Sequence, residues 1–329
     1  MKVNANRFGL FFISSLWLVF GLVAPPFVNA QVGPQIFMQP WQEGAHWAET
    51  VDELLFFERG YVKHTDLSTK IWSWDSSGRI RLSRQDPAPG IVIGYRINTM
   101  EVDSEAGAIN GDLWDVAIVG GVRLGRIADR WEINLLGGAG TSQDNHWTDS
   151  DAIYPLAALD VSTALDEHGA FHFGIDYDGN RVLWPDIPLP YAAYVREWNS
   201  KWTTTLGLPT TSITYKPLEW VRLAVDYDFP DALTVGANLA LLKNVILFAQ
   251  YSRGTLGFHI HQREDERLFY ELQRVSVGVR WITKLFDASL GAGYGLEQQF
   301  DRGFDLTDTR KLAELNQQPF FSIKIVGTF

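Results

Sequence analysis

The chain has 329 residues, no cysteine, 13% aromatic residues and a formal charge of −11. Without cysteine it is not a small disulfide-stapled secreted domain, and its acidity makes it a poor partner for nucleic acid or an anionic lipid surface. No Pro/Ser-rich stretch or shift in composition splits it, so a single domain is expected after the N-terminus.

Lys2 and Arg7 precede an apolar or neutral run from Phe8 to Val23, and Val28-Asn29-Ala30 offers a small-residue cleavage site. A membrane span needs roughly 20 apolar residues, and this run instead gives way to Ala24-Pro25-Pro26, so residues 1–30 read as a cleaved signal peptide, with an uncleaved anchor helix as the alternative. Losing Lys2 and Arg7 takes the formal charge to −13. No comparable apolar run recurs.

Leu54 to Phe57 is continuously apolar. It opens either a strand pair near 54–73 and 78–85 or a helix or plug segment. Further on, side chains alternate with period two, as a sheet with unlike faces requires. Ile91, Ile93, Tyr95 and Ile97 oppose Gly94, Arg96 and Asn98. Trp114, Val116, Ile118, Val122 and Leu124 oppose Asp115, Ala117, Gly121 and Arg123. Phe171, Phe173, Ile175 and Tyr177 oppose His172, Gly174, Asp176 and Asp178.

The second half is cleaner. Val221, Leu223, Val225 and Tyr227 face away from Arg222, Ala224, Asp226 and Asp228, and Leu233 to Leu241 repeats the pattern. Val275, Val277, Val279 and Trp281 oppose Ser276, Gly278 and Arg280; Phe286 to Leu296 alternates with Asp287, Ser289, three glycines and Glu297. The chain closes on Phe321, Ile323, Ile325 and Phe329 against Ser322, Lys324 and Thr328.

Connections fall into two alternating classes. Short ones lie at 86–90, 126–129, 166–169, 217–218, 242–243 and 283–285; longer ones lie at 102–112, 142–152, 184–197, 259–268 and 301–318, with a tight exception at Pro230-Asp231. Short periplasmic turns and long outer loops are the asymmetry of bacterial barrels. The expected fold is therefore all-β: residues 54–329 form an antiparallel up-and-down transmembrane β-barrel of about 14 strands, or 12 without the first pair, after a periplasmic segment at 31–53. The last strand, ending on Phe329, is of the kind read by the barrel assembly machinery.

Trp184-Pro-Asp-Ile-Pro-Leu-Pro190, Trp202-Thr-Thr-Thr-Leu-Gly-Leu-Pro209 and Ile213-Thr-Tyr-Lys-Pro217 resemble a family of outer-membrane β-barrel proteins known only as a domain of unknown function. The resemblance implies a barrel in the outer membrane of a Gram-negative bacterium and brings no catalytic residues.

The polar face gathers Arg96, Asp115, Arg123, Glu132, His172, Asp176, Asp178, Arg222, Asp226, Asp228, Arg274, Arg280, Asp287, Glu297 and Lys324 as lumen-lining candidates. Mixed signs fit either a water-filled pore or a self-neutralising polar core. Asp226 and Asp228 share a face about 7 Å apart at the strand rise, as do Asp176 and Asp178. Solvated lumen acids describe both pairs better than a cation site or a hydrolase pair.

His259 and His261 read as a loop tip more readily than as metal ligands. His64, His146 and His172 lack a serine two residues away, which weakens an esterase reading. The 184–197 loop reads as a rigid cover over the rim, and Thr307 to Leu315 as a short capped helix.

The expected function is a passive pore or binding barrel for small solutes. The alternatives are a structural or surface-interaction barrel with a filled lumen and, more remotely, a lipid-modifying enzyme. No catalytic, metal or cofactor residue is assigned; outer-membrane lipid, the assembly machinery and a small solute are the expected partners.

Overall fold

The first strand begins at Ala48, six residues ahead of the expected barrel start, and Leu54 to Phe57 belongs to it as sheet. In the computed structural model, which describes residues 33–38, 47–82, 90–109, 111–128, 130–144, 150–261, 263–283 and 286–329, it is β1, Ala48–Phe57, continued by Gly60–Tyr61. The expected signal peptide at 1–30 and most of the 86–90 turn lie outside those residues.

Next come β2 (Ser68–Arg81), β3 (Ile91–Ser104), β4 (Gly111–Ile127), β5 (Trp131–Asp144), β6 (Ile153–Asp166), β7 (Gly169–Asp178) and β8 (Leu189–Asn199). They are followed by β9 (Trp202–Leu208), β10 (Thr210–Leu218), β11 (Val221–Asp228), β12 (Ala232–Leu242) and β13 (Val245–Ile260). The last are β14 (Arg263–Ile282), β15 (Asp287–Gly303) and β16, which runs Arg310–Leu315 and then Gln318–Thr328.

Each strand pairs antiparallel with the next, and β16 returns to β1 from Glu49↔Thr328 to Phe57↔Phe320. The result is a closed up-and-down barrel of 16 strands rather than 14. The two additional strands come from one region. The stretch expected as the 184–197 loop is largely β8, and the single strand expected after it is the hairpin β9–β10, folded about Pro209. Pro190 stands at the start of β8, where a missing N–H costs little of the ladder. Likewise, residues 310–315 form a strand and not a helix, because they pair with β15 and close the sheet.

The outer face is apolar. Leu206, Ile213, Leu223, Val235, Leu247, Val277, Leu290 and Ile325 all stand exposed on it. Trp198, Trp202, Trp220 and Trp281, beside the short turns at the end where the chain termini lie, are exposed, as is Trp184 at the other end. At the other end the long strands β13–β15 turn outwardly polar, with Arg253 paired to Glu271 at 3.1 Å and Gln273 donating to Glu297 at 2.7 Å.

Candidate functional site: the lumen

The lumen-facing side chains sort into layers because paired residues on neighbouring strands point the same way. Near the termini Arg280 makes a buried fork to Asp287, with Nε to Oδ1 at 2.7 Å, and Arg79 pairs with Glu49 at 2.6 Å. Arg123 meets Glu132 at 3.4 Å. His172 lies 3.4 Å from Asp160, which also accepts from Tyr191 at 2.8 Å and Asn134 at 2.7 Å. Ser162 sits directly across from His172 in the register, but inside the lumen and away from the outer face.

A second polar layer crosses the middle. Lys324, Glu53, Asp75, Asn98 and Asp115 follow one another in register around β16 to β4. Arg274 reaches from β14 to Glu53 at 2.9 Å, with Lys324 4.0 Å from the other carboxylate oxygen. Arg96 binds Asp115 at 3.1 Å and Asp178 at 3.8 Å and donates to the Tyr154 hydroxyl at 3.2 Å. Asp176 is paired with Arg181 at 2.7 Å. Asp228 accepts from Thr210 at 2.6 Å, while Arg222 donates to Thr214 at 3.3 Å.

Glu297, expected on the inner face, is displaced from it. The register slips between Gln273 and Arg274, so that Gln273 faces Glu297 while Arg274 faces Gly295. This bulge inverts the alternation, turning Glu297 to the outer face and Gln298 inward to accept from Tyr270 at 2.9 Å.

The far half of the lumen holds an apolar core. Leu55, Phe57, Ile71, Met100, Val102, Leu113, Phe258, Leu268, Tyr270, Phe300, Leu315 and Phe320 form a single buried cluster. Phe258 and Leu268 reach it because the β13–β14 hairpin leans inward across the barrel mouth. Its tip meets the opposite wall: Ser142 on β5 donates to the Gly257 carbonyl at 3.0 Å, and the His261 N–H donates to Asp144 at 2.9 Å.

Arg267 completes this latch, donating to the Asn180 carbonyl at 2.8 Å, the Asn180 side-chain oxygen at 2.6 Å and the Arg181 carbonyl at 2.9 Å. The expected surface loop at 259–268 is therefore strand and tip of an inserted hairpin. A second strap lies beside it, where Leu306 N–H donates to Val182 at 3.0 Å and Asp305 accepts from the Trp184 N–H at 3.4 Å.

The nearer half is crossed by the chain's own N-terminal segment. The single turn Gln35–Met38 was expected in the periplasm with the rest of 31–53, yet it lies inside the barrel. Ile36 is buried against Val92, Ala117, Val119 and Leu136, and its carbonyl accepts from Arg79 at 3.1 Å. A Cβ added to Gly94 would fall 2.5 Å from Ile36 Cδ1, and one added to Gly121 2.7 Å from Phe37 Cζ, so these two glycines are sockets for the inserted side chains. On the other wall Met38 packs on Tyr191 and Ala193, and Gln35 donates to Thr210 at 2.5 Å.

Among the described residues no group of three or more His, Cys, Asp or Glu is placed to hold a metal ion. The residues that sequence reasoning missed are Gln35 to Met38 and the latch of Ser142, Asn180 and Arg267. A short apolar run ahead of the first strand and inward glycines at 94 and 121 were the available signals for the first; the second has no local signature.

No family model matches the sequence, and no curated protein matches it, so the resemblance to a barrel family of unknown function stands without that support. Solved structures with a similar outline include a TodX deltaS2S3 mutant monoaromatic hydrocarbon channel, at TM-score 0.40 and 9% identity over 94% of this chain and 96% of that one. An outer membrane channel from Pseudomonas putida F1 gives 0.34 and 11% over 93% and 100%. OccK7 (OpdD) from Pseudomonas aeruginosa gives 0.33 and 10% over 85% and 98%. At such scores the likeness is that of one barrel to another.

Proposed function

We propose that the chain is an outer-membrane barrel that gives a small solute a gated passage, held shut by its own chain at both ends of the lumen. The observation that carries the reading is the double insertion: Gln35–Met38 bridges the two walls nearer the termini, and the β13–β14 tip is latched to β5 and Asn180 across the mouth. A plug held by a few hydrogen bonds and two glycine sockets can leave without unravelling the sheet.

The apolar outer face, with tryptophans at one edge and polar strands at the other, suits a lipid-exposed band about 25 Å tall. The tryptophan edge, carrying both termini and the short turns, then faces the periplasm. Outer-membrane lipid is the partner of this face, and the strand ending at Phe329 is the segment offered to the assembly machinery. We assign no catalytic role: His172 is buried in the lumen beside Asp160, away from the lipid surface.

Planar-bilayer recording of the wild type and of a variant lacking residues 33–38 tests the reading. The wild type is expected to be mostly closed, and the deletion to raise the open probability. A wild type that conducts steadily refutes the gate. Silence in both refutes the passage and favours the second reading, a structural barrel whose apolar interior cluster simply fills it.

A further inference from the structure

The lumen is packed unevenly. On β1–β7 most inner-face side chains are buried, among them Ile71, Ser73, Met100, Ala117, Leu136, Leu156 and Asp160. On β9–β13 the inner-face residues Thr205, Ser212, Thr214, Arg222, Asp226 and Gln250 are only partly buried. Thr210, Ala224, Gly236 and Asn238 on the same wall are buried between them, so among the described residues the exposure that remains lies beside Thr205, Ser212, Thr214, Arg222 and Asp226.

Among the described residues, four polar atoms on and beside that wall are buried and lack a hydrogen-bond partner: Arg222 Nε, Asn238 Nδ2, Asp226 Oδ2 and Gln35 Oε1. They are grouped by the register. Arg222 pairs with Asn238, and Asp226 pairs with Thr234, with only Ala224 and Gly236 between the two pairs. Gln35 is held on the same wall through Thr210 and Asp228. Asn238 is 5% exposed, so its amide is shielded from bulk water. Buried polar groups normally have partners, and a cluster without them calls for a ligand or ordered water.

The unpartnered atoms are two donors at one end and two acceptors at the other. A hydroxyl group both donates and accepts, so a molecule carrying several of them can serve the donors and the acceptors alike. Arg222 and Asp226 offset one another in charge, and Asp228 is already engaged by Thr210 and Gln35, so no net charge is demanded of the guest. An anion would meet Asp226 and Asp228, and a hydrocarbon would leave every one of these atoms unpaired. We propose that this wall, from Ser212 and Thr214 through Arg222, Asp226 and Asn238, binds a small neutral polyhydroxylated solute such as a monosaccharide or polyol. The proposal rests on the reading of the lumen as a solute passage, and it names the solute class.

The test is equilibrium binding of D-glucose to the full-length barrel in detergent, followed by ligand-observed magnetic resonance. Saturable binding is expected, weakened about fivefold by Asn238→Ala, as loss of one hydrogen bond implies. Ser212→Ala serves as a second variant, and heat-modifiable migration confirms that each is folded. Absence of saturable binding, an affinity unchanged in both variants, or glycine displacing glucose at lower concentration each overturn the proposal, the last by pointing to a zwitterion. So does a glucose-soaked crystal that shows only water at the four atoms. A barrel that binds glucose but never conducts overturns the passage alone, whereas one that conducts without binding overturns only this site.

Discussion

Replacing Arg267 with alanine removes a cation that holds the inserted hairpin to the opposite side of the mouth. The residue is 2% exposed, and its guanidinium donates three hydrogen bonds, to two backbone carbonyls and the Asn180 amide oxygen, at 2.6 to 2.9 Å. Hydrogen bonds from charged groups are worth about 1.5–3 kcal/mol each, and three on one group are not additive, so a total near 4 kcal/mol is reasonable. At 1.4 kcal/mol per factor of ten, the equilibrium between latched and released tip should shift by two to three orders of magnitude. Native-state amide exchange reads this directly. Protection at Phe258, His259 and Leu268 should fall by that factor, while amides in the body of β5 stay unchanged. Arg267→Lys keeps the charge but not the fork, and should fall between the two. Exchange at the tip within threefold of wild type in the alanine variant would refute the latch.

Filling a glycine socket should expel the N-terminal segment: in Gly94→Val, the new side chain and Ile36 compete for the same space. The expected result is faster labelling of a Met38→Cys reporter, which leaves Ile36 in place, by a thiol reagent, with the barrel still heat-modifiable. Asp287→Asn removes the carboxylate that forks onto the buried Arg280 guanidinium and should cost about 3–5 kcal/mol, read as a lower denaturant midpoint in detergent. Burial raises the Asp305 carboxyl pKa, but hydrogen bonds from Thr307 and the Trp184 N–H outweigh it and hold the pKa below the ordinary value. Its contribution is therefore complete above that value and lost as pH falls through the depressed one. Trp184 fluorescence should stay flat from pH 7 to 5 and change only below about 4, and a change near neutrality would sink this assignment.

The outward pattern of this protein was legible from residue order. A one-residue slip exchanges the two faces of a strand, so alternations such as Val221 to Tyr227 and Val275 to Trp281 fix which side meets the apolar environment without reference to any partner. The terminal Phe329 and the tryptophans beside short turns belong to the same local code. The strand count was less legible, because Trp184 to Pro190 carries prolines that read as loop, and only pairing with β7 shows that Leu189 onward is sheet.

What residue order could not show lies inside. Glu297 faces outward because of a bulge, which depends on how two strands share one extra residue and not on the composition of either. Gln35 meets Thr210 across 175 residues, and Ser142 meets Gly257 across 115. Such contacts arise only once the sheet has closed, since closure is what brings β5 opposite β13. The sequence alone therefore determined a barrel and its outer surface, through forces that act residue by residue. Whether its lumen is open or shut was decided by the tertiary structure, because that depends on segments far apart in the chain filling the same enclosed space.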